Sequence, residues 1–177
     1  CRSLGAKVDV KGEVVQVSGV GGRPSAGGTI DCNESGLCSR MFMPIASLSS
    51  AEFTITGKGS LLSRPMEMSE GRLCSLGVQV RATNGLLPIE VRGPLMGGDV
   101  EVDGSVSSQT LTGLLLALPL CEKDSVVRVK GLKSREYVSM TLDVASAFGV
   151  KISNRNFSEF KIPGGQIFVP AIFRVLG

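Results

Sequence analysis

The chain has 177 residues, 42% of them hydrophobic, with 19 Lys and Arg against 16 Asp and Glu. That is ample apolar material for a packed core, and the basic residues are scattered rather than gathered into a run that would follow a nucleic-acid backbone, so a nucleic-acid partner is not expected. With no histidine, no tryptophan and five cysteines (Cys1, Cys32, Cys38, Cys74 and Cys121) that form no CxxC pair, nothing in the composition points to a metal site or a disulfide framework.

Cys1 to Gly5 reads as the last turn of a helix, because Leu4-Gly5 is a helix stop, and the N-terminus is expected to be a truncation. The same stop recurs. Leu4-Gly5-Ala6-Lys7-Val8, Leu76-Gly77-Val78-Gln79-Val80 and Phe148-Gly149-Val150-Lys151-Ile152 each put a glycine before an alternating strand, and the glycines are evenly spaced by 72 residues. A second strand follows each, at 13–17, 88–91 and 160–162, which predicts three β-hairpins.

Between the hairpins lie two further pairs of strands. Gly27-Gly28-Thr29-Ile30-Asp31-Cys32 matches Gly97-Gly98-Asp99-Val100-Glu101-Val102, and Phe53-Thr54-Ile55-Thr56-Gly57 matches Val127-Arg128-Val129-Lys130-Gly131. Helices are expected after each. Leu111, Leu114, Leu115 and Leu118 recur at i, i+3, i+4 and i+7 until Pro119, one buried stripe. The counterpart in the preceding unit holds Met41, Ile45 and Leu48, with Pro44 kinking or restarting it. Further helices are expected over 65–76 and 134–148.

The unit is therefore β-α-β-α-β-β, and the expected organisation is a single α/β domain, 1–177. It holds a truncated first repeat at 1–26, a second at 27–96 and a third at 97–177, with pseudo-threefold symmetry. No window is apolar enough to cross a bilayer, the run 114–120 being core-sized, and the first residues lack the charged and apolar regions of a signal peptide. A cytoplasmic protein with reduced thiols and no membrane partner is expected.

The chemistry is expected at two steps from strand to helix. Asp103-Gly104-Ser105-Val106-Ser107-Ser108-Gln109 places serines and a glutamine where the first helical N–H groups lack intrahelical partners, which makes an anion cradle. Helix capping by Ser107 or Ser108 explains one serine equally well. The matching step in the preceding unit is Cys32-Asn33-Glu34-Ser35-Gly36-Leu37, with Arg40 one turn later. Gly36 allows close backbone approach to a ligand or serves a tight turn; Arg40 pairs with an anion or keeps the helix soluble.

The Asp103-Gly-Ser-Val-Ser-Ser-Gln109 block, Pro119-Leu120, Lys133-Ser134-Arg-Glu-Tyr137-Val-Ser-Met-Thr-Leu142 and Phe148-Gly149-Val150 resemble the 5-enolpyruvylshikimate-3-phosphate synthases. Asn33-Glu-Ser-Gly36-Leu-Cys-Ser-Arg40 is similar to that family's Asn-Ala-Gly-Thr-Ala-Met-Arg segment with one extra residue, and Ser63-Arg64-Pro65-Met66 to its Arg-Pro-Ile step. The resemblance implies interior helices with outer sheets, no cofactor, and two phosphorylated ligands. Ser107, Ser108, Gln109 and Ser134, with Tyr137 beside them, match positions that hold shikimate 3-phosphate. Gly36, Asn33 and Arg40, with Gln109 contributing, match the segment that approaches phosphoenolpyruvate.

The implied reaction protonates the methylene of phosphoenolpyruvate, adds the 5-hydroxyl of shikimate 3-phosphate and eliminates phosphate. The family's acid–base lysine, aspartate and glutamate match nothing in this chain, so no catalytic residue is assigned. A second domain of the same enzyme is the implied partner, and the isolated chain is expected to be inactive. Two positions depart from the pattern: Ser60 stands where the family usually has an arginine, four residues before the Arg-Pro step, and Leu37 replaces a threonine. The alternatives are the related transferase acting on UDP-N-acetylglucosamine and a non-catalytic module that binds a phosphorylated ligand. The first typically carries a reactive cysteine before its Arg-Pro step, and 57–63 has none.

Overall fold

A computed structural model describes residues 1–24, 26–66, 71–105 and 108–174. The chain divides into two compact units, Cys1–Leu95 and Met96–Gly177.

The first unit opens with a 3-10 turn, Arg2–Leu4, and an antiparallel hairpin of β1 (Lys7–Lys11) and β2 (Val14–Ser18). Its main sheet has the order β3-β4-β6-β5, built from β3 (Gly28–Asp31), β4 (Glu52–Thr56), β5 (Gln79–Thr83) and β6 (Leu86–Arg92). β3 and β4 run parallel, with α1 (Gly36–Ala46) as the crossover between them, and β6 pairs antiparallel with both β4 and β5. The pleat decides which face is buried: Phe53, Ile55, Ile89 and Val91 have no solvent exposure. The opposite face carries Arg81 between Glu90 (3.3 Å) and Glu52 (3.8 Å).

α1 runs through Pro44 without ending, and its buried residues are Gly36, Ser39, Met43, Pro44 and Ala46 rather than the expected Met41, Ile45 and Leu48 stripe. Met41 and Ile45 sit half-buried on its flank, and Leu48 is buried beyond the helix end. The small residues at 36, 39 and 46 let α1 lie close on its neighbours; Ser39 Oγ donates back to the Gly36 carbonyl (3.0 Å) instead of competing for solvent. Of the helix expected over 65–76, α2 covers Arg72–Ser75, after a 3-10 turn at Gly59–Ser63; 67–70 lie outside the described residues.

The second unit has the same strand order and senses, β7-β8-β10-β9, with β7 (Asp99–Asp103) parallel to β8 (Ser125–Lys130), and β10 (Glu159–Ile162) antiparallel to both β8 and β9 (Ser153–Arg155). α3 (Gln109–Ala117) crosses from β7 to β8 and α4 (Arg135–Ala147) follows β8. Leu111, Leu114, Leu115 and Leu118 have no solvent exposure, as the sequence periodicity predicts. The sheet's outer face again bears ion pairs, Arg128 with Asp99 (3.1 Å) and Glu159 (3.6 Å), and Lys130 with Glu101 (2.8 Å). Exposed pairs of this kind contribute little stability, but they mark the face that stays in water.

Gly5, Gly77 and Gly149 share one local structure. Each has positive φ (96°, 93° and 85°) and donates its N–H to the carbonyl three residues back, while the next residue donates to the carbonyl five back. That is the Schellman stop, which only a residue free of Cβ adopts without strain. After the third of them the strand begins later than expected. Lys151 makes no ladder bond, because the Gln166 side chain takes both its backbone groups: Oε1 accepts the N–H (2.7 Å) and Nε2 donates to the carbonyl (3.0 Å). β9 therefore starts at Ser153.

Candidate functional site

Both parallel strand pairs end in the same turn. In the second unit Asp103, the last residue of β7, accepts the Ser105 N–H on Oδ1 at 2.9 Å. The loops after β7 and β8 are then fastened to each other, Gly104 N–H to the Lys130 carbonyl at 2.8 Å and Lys133 N–H to the Gly104 carbonyl at 3.4 Å. Gly104 has no room for a side chain, since a Cβ there would stand 2.9 Å from Leu132 Cα.

This places the starts of α3 and α4 at one edge of the unit, after the C-terminal ends of two neighbouring parallel strands. The two helices pack together, with Thr112 and Thr141 hydroxyls 3.4 Å apart. Ser108 is the N-cap of α3 and Ser134 the N-cap of α4, and neither hydroxyl caps its helix. Ser108 is buried, Gln109 half-buried as the first residue of α3, and Ser134 half-buried. Tyr137, in the first turn of α4, is 65% exposed, and its carbonyl accepts the Thr141 hydroxyl at 2.9 Å. Ser107 lies outside the described residues.

In the first unit Asp31 accepts the Asn33 N–H on Oδ1 (2.8 Å), Cys32 N–H donates to the Thr56 carbonyl (2.9 Å), and Lys58 N–H to the Asn33 carbonyl (2.6 Å). Asn33 takes the left-handed conformation, φ 52°, which asparagine tolerates better than most residues. Here the N-cap is filled in the ordinary way, Ser35 Oγ accepting the Cys38 N–H at 3.1 Å. Gly36, the first residue of α1, is buried, and a Cβ on it would stand 2.8 Å from Arg40 Nη1 and 3.5 Å from Arg64 Nη1. Arg40 donates to the Gly36 carbonyl (3.4 Å) and the Pro65 carbonyl (3.1 Å). Ser60 is exposed, and its carbonyl accepts the Ser63 hydroxyl at 3.0 Å.

Cys32 lies inside this turn. Burial, then a hydrogen bond with Cys38 and the nearby Cys38 and Asp31 charges, push its thiol up from 9.0 to about 12. It stays protonated at neutral pH and acts as packing, not as a nucleophile. Asp31 and Asp103 shape both turns, and their signal in the sequence is an Asp ending each strand two residues before an Asn or Ser, the pattern of an Asx turn. Arg64, to which the motifs give no role, also lies beside Gly36. Among the described residues no group of acidic, cysteine or histidine side chains is arranged to hold a metal ion, and no helix is long and apolar enough to cross a membrane.

The chain is similar to proteins of known kind. The family model described as EPSP synthase (3-phosphoshikimate 1-carboxyvinyltransferase) matches residues 1–177. A 3-phosphoshikimate 1-carboxyvinyltransferase of Clostridium novyi is 40% identical over 150 residues, covering 84% of this chain and 34% of its own length. That of Methanococcoides burtonii is 40% identical over 173 residues (94% and 40%), and that of Clostridium beijerinckii 36% over 183 residues (99% and 42%). An EPSP synthase structure from Acinetobacter baumannii superimposes with a TM-score of 0.77 at 25% identity, covering 95% of this chain and 38% of that one. The chain thus spans about two fifths of the length of these relatives. With the family model matched from the first residue to the last, the chain belongs to the EPSP synthase family.

Proposed function

We propose that this chain is the shikimate 3-phosphate-binding part of a cytoplasmic enzyme that moves the enolpyruvyl group of phosphoenolpyruvate to the 5-hydroxyl of shikimate 3-phosphate. The observation that carries the proposal is the pair of N-cap serines, Ser108 and Ser134, on two packed helices, whose hydroxyls are not used for capping. Hydroxyls not engaged in capping, beside the N–H groups of a helix start, suit a phosphate and a polyol better than an apolar ligand. Gln109 adds an amide that donates and accepts, and Ser107 and Tyr137 complete the group on the family pattern.

In the first unit, Asn33, Gly36 and Arg40 form the turn that meets phosphoenolpyruvate. Gly36 lets the anion approach bare backbone, and the positive charge beside it stabilises the carboxylate or phosphate. Proton transfer to the methylene and from the 5-hydroxyl falls to acid–base groups supplied by the remainder of the enzyme, which is the partner this chain requires. The three Schellman stops and the two sheets of equal order favour three repeats, 1–26, 27–96 and 97–177.

Titration of the chain with shikimate 3-phosphate tests the reading, with unphosphorylated shikimate as the control. Saturable binding that needs the phosphate is the expected result. Equal affinity for the two, or none for either, would refute the assignment.

A further inference from the structure

The first-unit turn contains one more cation than the phosphoenolpyruvate segment of the sequence requires. Arg40 Nη1 and Arg64 Nη1 both come within 3.5 Å of a single point, the place a Cβ would occupy on Gly36. Two guanidinium groups brought this near repel each other unless an anion lies between them. They are held differently. Arg40 donates to the Gly36 and Pro65 carbonyls, and the second bond fastens the residue directly after Arg64. Arg64 is exposed, and its guanidinium makes no hydrogen bond or ion pair among the described residues.

Position 60, four residues earlier, is an unsuitable source of the contact. Ser60 brings no charge, and the Glu34 carboxylate lies over its neighbour, with Oε1 2.8 Å from the Cβ position of Gly59. An anion approaching from that side would meet a like charge. An anion approaching Gly36 meets the Arg40 and Arg64 guanidinium groups, with Leu61 Cδ1 3.8 Å from the same Cβ position.

We infer that Arg64 supplies the cationic contact to phosphoenolpyruvate in this chain, and that Arg40 positions it through the Pro65 carbonyl; this rests on the phosphoenolpyruvate reading of the first-unit turn. A planar guanidinium matches a carboxylate or phosphate in two-pronged fashion, which a lysine does less well.

The test is calorimetric titration of the whole chain with phosphoenolpyruvate in the presence of saturating shikimate 3-phosphate. Arg64→Gln should weaken phosphoenolpyruvate binding by about tenfold or more, the equivalent of one charge-assisted hydrogen-bonded contact. Arg64→Lys should lose less. Lys161→Gln, which removes an exposed positive charge from β10, should change nothing. Unaltered shikimate 3-phosphate affinity in each variant shows that the fold is intact. Arg40→Gln should also weaken phosphoenolpyruvate binding, because Arg40 both borders Gly36 and fastens Pro65. Wild-type binding that Arg64→Gln leaves intact would overturn the role of Arg64 and spare the reading of the turn. A wild-type chain that does not bind phosphoenolpyruvate would overturn both.

Discussion

A serine at a helix start ordinarily accepts a hydrogen bond from the first turn, as Ser35 does from Cys38. Ser108 and Ser134 occupy the same position without doing so, and this separates their expected mutational effects. Ser35→Ala should cost about 1 kcal/mol of stability through the lost cap. Ser108→Ala and Ser134→Ala should leave chemical denaturation nearly unchanged while weakening shikimate 3-phosphate binding several-fold; the reverse pattern would make them structural residues. Ser125, by contrast, is structural: it is buried and its Oγ accepts the Gly98 N–H at 3.1 Å. Removing it leaves a donor unsatisfied at about 1–3 kcal/mol.

Cys32 gives a pH-dependent prediction. Its folded thiol titrates near 12, against 9.0 for an unperturbed one. The unfolded chain therefore releases this proton first, so the stability that protonated Cys32 contributes is fully present below pH 9.0 and is lost as pH rises toward 12. In native alkylation at pH 8, exposed Cys1 and Cys74 should react first, and buried Cys32 and Cys121 only after unfolding. Rapid native labelling of Cys32 would contradict its burial.

At the scale of elements, the sequence was most legible where a residue type has one local meaning. Glycines 72 residues apart marked three helix stops because a positive φ selects glycine, and the Leu111, Leu114, Leu115, Leu118 period found the buried face of α3 because four leucines on one stripe admit no other packing. Leu114→Ala should accordingly destabilise the chain by about 2–5 kcal/mol in urea denaturation. Legibility failed where contacts were long-range or residues small. The buried residues of α1 include Gly36, Ser39 and Ala46 beside Met43 and Pro44, and the small size of the first three escapes a count of large apolar residues. The late start of β9 depends on Gln166, fifteen residues beyond Lys151. The hydrogen bonds that fasten Gly104 to Lys130 and Lys133 join segments that only the parallel sheet makes neighbours. For the same reason motif matching points to the proposed cradle residues, but not to the bonds that fasten the loops beside them.

For the molecule as a whole, the chain corresponds to about two fifths of its relatives, 34% to 42% of their lengths. Its two units repeat one strand order, and each ends its parallel strands in an Asp-centred turn. Binding without turnover is the behaviour expected of it: both proposed ligand turns are present, whereas the acid–base groups are assigned to the remainder of the enzyme. Phosphate release from phosphoenolpyruvate by this chain alone would refute that division of labour. The most direct test of the central claim is calorimetric titration with shikimate 3-phosphate, run beside shikimate and repeated on the Ser108→Ala, Ser134→Ala double variant. Saturable binding to the wild-type chain, lost without the phosphate and sharply weakened in the variant, is the result predicted. Binding that is the same with either ligand, or that survives removal of both hydroxyls, would contradict it.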